Sequence, residues 1–496
     1  MKTLVSRRDA LRAAGSLPLL LAARAAGAAA APATHQDEAL AFATARAERL
    51  SAPLQTLRGR LPSELAGTLW RNGPAEHDRF GHRYGHWFDG DGMIQAFRFD
   101  GAGVTHRARI LDTPKRRRET EAGRRMLPAF GTIPPDPADT RGPDDMNTAN
   151  TSVVVHAGRH MALWEGGSAL AFDPGTLDAG GFVEWRKDVA GAPFSAHPKV
   201  EADGTMWNIG YLPVPRPALI FYRIDPRGRL AKVNVLPMAP LGLTHDFVAT
   251  ERRLVVLLTP FVLDLDKFTS GHTSILDAHV WRPELGVRVL VVDKDSLEVE
   301  RRHELPPGFH FHHGNGWEEA DGTIRLDLCQ APNPDFVTRE FRDVMRGETR
   351  FRSQHPVYRR IVLRPDGSAE YEHSETAAAD FPRIDPRRLG RRHDTVFALA
   401  GVDEPIGWPL RRTVRFAPGE VDGWNWPRHR IPEEHVFVPR GEGEGEGWLL
   451  GPFLDLRRRT SGLAVFEAQR LADGPVWEGT LPYPLPLGLH GTFAPV

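Results

Sequence analysis

The residues Phe311-His312-His313-Gly314-Asn315-Gly316-Trp317-Glu318 lead into a turn at Asp321-Gly322 and then into the β-type run Thr323 to Leu328. Short runs of this kind, separated by Gly, Pro and Asp, indicate strands joined by tight turns. The same alternation continues from about Ser51 to the end of the chain, with further runs at Thr151 to Val155, Leu254 to Leu258 and Val287 to Val292. The sequence therefore predicts an all-β fold.

The length of the chain narrows the choice among all-β folds. Many short strands at regular intervals are typical of barrels, sandwiches and propellers, and 496 residues favour a propeller, whose blades repeat radially. Amphipathic helix patterns are few, chiefly Ala39 to Arg49 and Glu119 to Met126. Because no low-complexity linker divides the mature chain, residues 34–496 are predicted to form a single domain.

Charge and cysteine content exclude several classes of function. The 63 basic and 64 acidic residues leave a net charge of −1, so the composition does not indicate a nucleic-acid partner. Cys329 is the only cysteine, which excludes an intramolecular disulfide framework and a thiolate zinc site. Metal chemistry would have to use carboxylates and the 21 histidines.

The N-terminus has the pattern of a twin-arginine signal peptide. Ser6-Arg7-Arg8-Asp9-Ala10-Leu11-Arg12 precedes a Leu/Ala-rich run from Ala13 to Ala31 and the small residues Ala31-Pro32-Ala33. Pro18 and Arg24 interrupt the apolar run, which argues against a stable membrane span. We therefore expect residues 1–33 to direct export by the twin-arginine machinery to the periplasm or beyond; a membrane anchor or a cytoplasmic tail is the alternative.

Four short segments place a histidine on or beside a β-type run. Their intervals are of about one blade or more, so each histidine could come from a different blade and converge on the propeller axis. An all-imidazole set suits a divalent metal, although a lone histidine beside a strand is more often a core or surface residue. The segments are Ser195-Ala196-His197-Pro198-Lys199, Leu243-Thr244-His245-Asp246-Phe247, Phe311 to Glu318, and Gly488-Leu489-His490-Gly491-Thr492-Phe493.

The chain resembles the carotenoid cleavage oxygenases, which include apocarotenoid oxygenases, the retinoid isomerase of the eye and lignostilbene dioxygenases. The resemblance covers nearly the whole mature chain, and the most specific of its motifs is His86-Trp87-Phe88-Asp89-Gly90-Asp91-Gly92-Met93. The other motifs are Leu69-Trp70-Arg71-Asn72-Gly73-Pro74, Thr148-Ala149-Asn150-Thr151, Leu163-Trp164-Glu165-Gly166-Gly167, the four histidine segments, Asp380-Phe381-Pro382-Arg383-Ile384-Asp385 and Val436-Phe437-Val438-Pro439-Arg440.

The resemblance implies a seven-bladed β-propeller with a helical and loop cap over an axial iron(II) site. Its implied ligands are His197, His245, His312 and His490. In the third segment the family ligand lies three residues before the asparagine, which selects His312. Strand alternation separates His312 from His313 but leaves His310 as an alternative on the same face.

Further site residues follow from the same resemblance. Three carboxylates would accept the ring N–H of a ligand histidine and fix its orientation, and the matching positions are Glu165, Asp380 and Glu434. Asp380 is one methylene shorter than the family's glutamate, which puts its hydrogen bond in doubt. Thr151 matches a position beside the open side of the iron, where it limits what binds.

The implied reaction is oxidative cleavage by O₂ of a conjugated C=C bond in a carotenoid or apocarotenoid, giving two carbonyl products. A lignostilbene-type phenolic is the alternative substrate, for which Lys115 would be either a contact to the phenolate or part of a solvated basic loop. An isomerase outcome and a metal-free interaction scaffold are the remaining alternatives. A small hydrophobic substrate also implies peripheral contact with a membrane for its uptake.

Overall fold

The regular structure of this protein consists mainly of short antiparallel strands. The computed structural model describes residues 35–402 and 408–496. The predicted signal peptide, residues 1–33, and the predicted domain boundary after it lie outside these residues. Within them, no helix is long and apolar enough to cross a membrane.

The strands form seven blades, which we number in chain order. Blades 1 to 3 are four-stranded antiparallel sheets in which each strand pairs with the next strand of its blade. Blade 1 contains Ser152–His156, Arg159–Leu163, Leu170–Phe172 and Ala179–Phe182; blade 2 contains Lys199–Val200, Met206–Leu212, Ala218–Ile224 and Leu230–Pro237; blade 3 contains Val248–Ala249, Arg253–Leu258, Val287–Asp293 and Val299–Leu305.

One long strand, Ala369–Arg383, belongs to two blades. It pairs with Val357–Leu363 as far as Ala378 and with Val396–Gly401 from Ala379 onward. A continuous seven-stranded sheet therefore contains blades 4 and 5. Blade 4 contains Phe309–Glu318, Ile324–Ala331, Val357–Leu363 and the first part of Ala369–Arg383; blade 5 contains its second part, Val396–Gly401, Leu410–Ala417 and Glu420–Asn425.

Blades 6 and 7 are assembled from both ends of the described chain. In blade 6, Gln55–Gly59 pairs with Trp477–Thr480, and in blade 7 the C-terminal strand His490–Pro495 pairs with Ala66–Asn72. These two pairings between strands from opposite ends of the chain close the ring of blades. Blade 6 also contains Arg430–Pro432, Val436–Pro439, Gly447–Asp455 and Thr460–Glu467, and blade 7 also contains Asp91–Asp100, Val104–Ile110, Arg49–Pro53 and the short strand Pro74–Glu76. The predicted all-β, seven-bladed propeller is confirmed.

The core lies between the faces of neighbouring blades. Blade 3 contributes Val255 and Val289, and blade 4 contributes Leu326 and Ile361, to one fully buried cluster. These strands are apolar on both faces because each blade is covered on both sides, which explains the Val- and Leu-rich runs in the sequence.

Short helices and loops form a cap beside the propeller. The helix Pro114–Ala122 begins after Thr113, whose side chain accepts a hydrogen bond from the N–H of Arg116, and ends at Gly123 with φ 64°. This helix begins five residues before the predicted Glu119 to Met126 pattern. The predicted Ala39 to Arg49 helix is also wrong beyond its first turn, Ala39–Phe42, because Arg49 begins a strand of blade 7.

The remaining short elements complete the cap and the connections between blades. The α-helical segments are His35–Glu38, Leu265–Thr269 and Phe341–Asp343, and Phe336–Glu340 is a π-helix. The 3₁₀ turns are Trp87–Asp89, Pro143–Met146, Lys187–Val189, Pro283–Leu285, Val344–Arg346, Pro386–Arg388 and Leu471–Asp473. Two small hairpins pair Phe261–Leu263 with His279–Trp281 and Asp78–Arg79 with His82–Arg83.

Candidate metal centre

Each blade contributes one predicted site residue at or just before its innermost strand, and blade 1 contributes a second, Glu165, between its second and third strands. The innermost strands lie side by side around the axis, as Val248–Ala249 does with Phe309–Glu318. Residues at the same end of these strands therefore converge although they are remote in sequence. In order of blades they are Thr151, His197, His245, His312, Asp380, Glu434 and His490.

The structure brings the four predicted histidine ligands together. One ring nitrogen from each of His197, His245, His312 and His490 lies within 4.8 Å of the other three. The Nε2 atoms of His197 and His245 are 2.7 Å apart, and those of His312 and His490 are 3.2 Å apart. His490 is buried at the start of the last strand, as its apolar neighbours in the sequence indicated.

The three predicted carboxylates each face the Nδ1 atom of one of these histidines. Asp380 Oδ1 lies 2.7 Å from His312 Nδ1, and Glu434 Oε1 lies 2.8 Å from His490 Nδ1. Glu165 accepts in the same way from His245. The hydrogen bond of Asp380 is thus present despite the shorter side chain.

These contacts fix the tautomers of three imidazoles. A carboxylate accepts the proton on Nδ1, so the Nε2 atoms of His245, His312 and His490 carry lone pairs that point toward one another. Converging lone pairs repel unless a cation lies between them. Nitrogens bound at about 2.1 Å to one ion would lie about 3 Å apart when adjacent and about 4.2 Å apart when opposite. The observed spacing fits one metal ion held by four imidazoles.

Electrostatics near the centre keep His197 and His490 neutral and Glu434 charged, whereas Asp380 outweighs burial and raises the pKa of His312. Burial lowers the pKa of His490 to about 4, and burial also lowers the pKa of His197 well below its usual range. Burial alone would raise the pKa of Glu434, but Arg383, His490 and Arg71 outweigh it and lower this pKa. Neutral imidazole is the form that binds metal.

The Glu434 carboxylate is held by more than its histidine. Its Oε1 accepts from Arg383 Nε at 2.9 Å, and its Oε2 accepts from Arg71 Nη1 and from the N–H of Gly491, both at 3.0 Å. Glu434 therefore cannot rotate away from His490 without breaking several buried hydrogen bonds. Glu165, by contrast, is partly exposed at the rim of the cavity.

The two histidines that neighbour His312 lie outside the cluster. His310 Nε2 faces the carbonyl of Leu257 at 3.3 Å. The backbone N–H of His313 donates to Asp246, and its ring lines a second cavity together with Lys199. The spacing argument that selected His312 agrees with this geometry.

An apolar cavity opens beside the four histidines. Thr151 lines this cavity, as His245 does, and its hydroxyl donates to Asn150 Oδ1 at 3.1 Å. Phe381 stacks on His312 with ring centroids 5.0 Å apart and holds a φ of 58°, which is uncommon for a bulky residue. The aromatic wall consists of Trp87, Phe88, Phe130, Trp164, Phe311, Phe336, Phe341, Phe351, Phe381 and Trp408.

Sequence reasoning did not identify most of this wall. Five of its residues lie inside the family motifs, which therefore carried a signal for them: Trp87, Phe88, Trp164, Phe311 and Phe381. The other aromatic residues come from cap segments whose sequences show no periodicity or motif.

Lys115 does not line this cavity. Its Nζ is fully buried and lies 2.6 Å from the hydroxyl of Tyr84, 3.1 Å from Asp91 and 3.3 Å from Glu119. Its neighbour Arg116 is also buried and paired with Glu76. Lys115 is outside this cavity and is not part of a solvated loop, because Asp91 and its helix neighbour Glu119 hold it in the interior.

Residues 42–495 match the sequence family described as retinal pigment epithelial membrane protein. This chain belongs to that family, the carotenoid cleavage oxygenases. It is 26% identical over 466 residues to apocarotenoid-15,15'-oxygenase of Synechocystis, covering 89% of this chain and 93% of the relative. It is 28% identical over 468 residues to lignostilbene-alpha,beta-dioxygenase isozyme III of Sphingomonas paucimobilis, covering 88% and 93%.

The fold is likewise that of a solved family member. Cobalt-substituted Synechocystis apocarotenoid oxygenase superposes with a TM-score of 0.82 at 26% identity, over 93% of this chain and 99% of that one. The family is metal-dependent, and the four histidines described here are the group that fits a metal.

Proposed function

We propose that this protein is an iron(II)-dependent dioxygenase that cleaves a conjugated C=C bond of a carotenoid or apocarotenoid into two carbonyl products. The observation that carries the proposal is the convergence of imidazole lone pairs at the edge of an aromatic cavity. Two relatives named as an apocarotenoid oxygenase and a lignostilbene dioxygenase support the same reaction class.

The four histidines suit iron(II), which when bound supplies the redox chemistry that dioxygen requires. The residues of the chain position and shield the reaction. His197, His245, His312 and His490 would hold the ion. The carboxylates that line the cavity, Glu165 and Asp380, each accept from an imidazole, so they orient ligands and are not available as general bases.

The wall of the cavity favours an apolar conjugated substrate. Flat aromatic side chains give a polyene a large contact area and exclude water from the bond that reacts. Thr151 and Phe381 narrow the space beside the histidines and so limit what approaches them.

A lignostilbene-type phenolic is the second candidate substrate. The 28% identity to a lignostilbene dioxygenase favours it. Against it, Lys115 is occupied by buried acidic partners, and no lysine or arginine lines the cavity among the described residues. An isomerase outcome would give no cleaved products, and a metal-free scaffold would leave the imidazole lone pairs without a cation.

Mass spectrometry of products decides among these functions. Iron-loaded protein is incubated under ¹⁸O₂ with carotenoids, apocarotenoids and hydroxystilbenes, with His245→Ala as the metal-free control. We expect labelled carbonyl fragments from a carotenoid or apocarotenoid and none from the control. Cleavage of stilbenes alone would establish the second candidate, and no cleavage of any compound by metal-loaded protein would refute the dioxygenase.

We further propose that the protein is exported to the periplasm by the twin-arginine machinery and touches a membrane only to take up its substrate. The support for export is the Arg7-Arg8 pair and the apolar run that follows it. The support for membrane contact is the apolar character of the proposed substrate, which partitions into lipid. Flotation with liposomes, with and without a dissolved apocarotenoid, tests the contact.

A further inference from the structure

One polar side chain in the cavity wall does not belong to the metal centre. Most polar groups that line the cavity, among the described residues, belong to the metal centre or to the pair Asn150 and Thr151. The groups of the centre are three of its histidines and the carboxylates Glu165 and Asp380, and tryptophan N–H groups are left aside here. Asn150 is already used, because its Nδ2 donates to the carbonyls of Phe88 and Gly90. The exception is His355, which lies among aromatic rings.

The ring of His355 is oriented by an acidic partner. Its buried Nε2 lies within ion-pair distance of Glu340 Oε2, at 3.3 Å, and neither atom makes a hydrogen bond to any residue that the structure describes. The second oxygen of Glu340 accepts from the backbone N–H groups of Arg352 and Ser353, both at 2.5 Å. Glu340 is therefore anchored by the backbone, and it turns Nε2 of His355 toward itself.

The charge on Glu340 sets which nitrogen of His355 carries the proton. Burial would raise the pKa of Glu340, but hydrogen bonds from His355 and from the backbone N–H groups outweigh it and lower this pKa. A charged carboxylate 3.3 Å from Nε2 favours a proton on that nitrogen. In the neutral ring, Nδ1 is then left as an acceptor of hydrogen bonds.

A row of aromatic rings connects His355 to the metal centre. Three ring-to-ring steps connect His312 to it through Phe311 and Phe336, with centroid separations of 6.0, 5.8 and 6.1 Å. An elongated molecule lying along these rings would have one end near the histidine cluster and the other near His355. A hydrogen bond there would fix how far the molecule extends past the metal.

We propose that His355 binds the hydroxyl group at one end of the substrate and thereby selects which double bond lies at the metal centre. The substrate class is a conjugated chain that ends in an alcohol or phenol, whose O–H donates to Nδ1. This inference rests on the proposed function, since it names the end group of the molecule to be cleaved. His355 is a positioning residue, because it does not touch the reacting atoms.

A binding experiment without oxygen tests the hydrogen bond separately from catalysis. Metal-loaded protein is titrated anaerobically with two matched pairs, trans-4-hydroxystilbene with trans-stilbene and all-trans-retinol with its deoxy hydrocarbon. Quenching of tryptophan fluorescence, to which Trp87 and Trp164 in the wall contribute, gives the affinities. In at least one pair, we expect the parent protein to bind the hydroxylated member about 5- to 10-fold more tightly, as one buried hydrogen bond predicts.

Three variants separate the hydrogen bond from the shape of the cavity. His355→Phe keeps a ring and should abolish the preference for the hydroxyl, whereas His355→Asn keeps an acceptor near the position of Nδ1 and should restore part of it. Phe351→Leu is the matched control, because it alters the neighbouring wall without removing a polar atom and should affect both members of a pair equally.

The position of cleavage provides the second readout. With a hydroxylated polyene that the parent cleaves at one bond, His355→Phe should give products of more than one length, which a merely structural defect would not cause. The proposal is overturned if the parent shows no preference in either pair, if His355→Phe retains the preference, or if His355→Asn loses it as completely as His355→Phe. A hydroxyl preference in protein that cleaves nothing would support the subsite and refute the proposed function.

Discussion

Replacing Asp380 by alanine should weaken metal binding by about 10- to 100-fold, the range typical of residues that orient a ligand histidine. Asp380 is the one carboxylate in the centre that is shorter than its counterpart in the family. Its Oδ1 nevertheless lies 2.7 Å from His312 Nδ1 and also accepts from the N–H of Phe381 at 2.8 Å.

The size of the effect follows from these contacts. Alanine leaves the buried Nδ1–H of His312 without an acceptor, and an unsatisfied buried donor costs about 1 to 3 kcal/mol, or about 5- to 150-fold in affinity. Asp380→Asn keeps an oxygen acceptor but removes the charge, so its metal affinity should decrease less than that of Asp380→Ala. The metal affinity of Asp380→Glu should lie between those of the parent and of Asp380→Ala, because the contact between Asp380 and His312 leaves no gap for an added methylene.

Competition with a chelator measures the metal affinity of each variant, and calorimetric unfolding of the metal-free proteins reports their stability. The control is Asp394→Ala, which removes an exposed carboxylate from the chain segment that follows Asp380. If Asp380→Ala bound metal as tightly as the parent, or no more weakly than the Asp394 control, Asp380 would have no part in the centre.

Further predictions concern the metal, its ligands and export. Protein purified without oxygen should contain about one iron per chain by elemental analysis, and activity supported only by zinc or copper would contradict the iron assignment. His245→Ala should abolish metal binding while His313→Ala retains much of it, since the His313 ring lies outside the cluster; equal losses would mean that His313 has a role the geometry does not assign. Changing Arg7 and Arg8 to lysine should leave the protein in the cytoplasm on fractionation, and continued export would require another route.

The strands and the axial histidines could be predicted from local sequence. The run Leu254 to Leu258 lies within the observed strand Arg253–Leu258, because its apolar residues are buried on both faces of a blade. His490 was identifiable because apolar residues beside it implied a buried chain end. The choice of His312 over His310 came from the family's spacing, since alternation alone places both on one face.

Features that depend on distant partners could not be predicted in this way. The blades could not be counted from the sequence because Ala369–Arg383 serves two of them without any turn residue between. Lys115 begins a basic run that is typical of a surface loop, yet Asp91 and Glu119 hold it inside. The aromatic wall consists of residues from several cap segments. The positioning role proposed for His355 depends on Glu340 and on the rings around it, which are not adjacent to it in the sequence.

Because His490 lies on the last strand, the metal centre can be completed only after nearly the whole chain has been synthesised. The first three histidines are available once blade 4 exists, but the fourth reaches the axis only when His490–Pro495 has paired with Ala66–Asn72, more than 400 positions earlier in the chain. Removal of the seven residues from His490 to Val496 would remove a ligand and the strand that pairs with Ala66–Asn72 together. Metal content therefore reports whether His490–Pro495 has joined blade 7, and a single break just before His490 should yield protein that is both open and metal-poor.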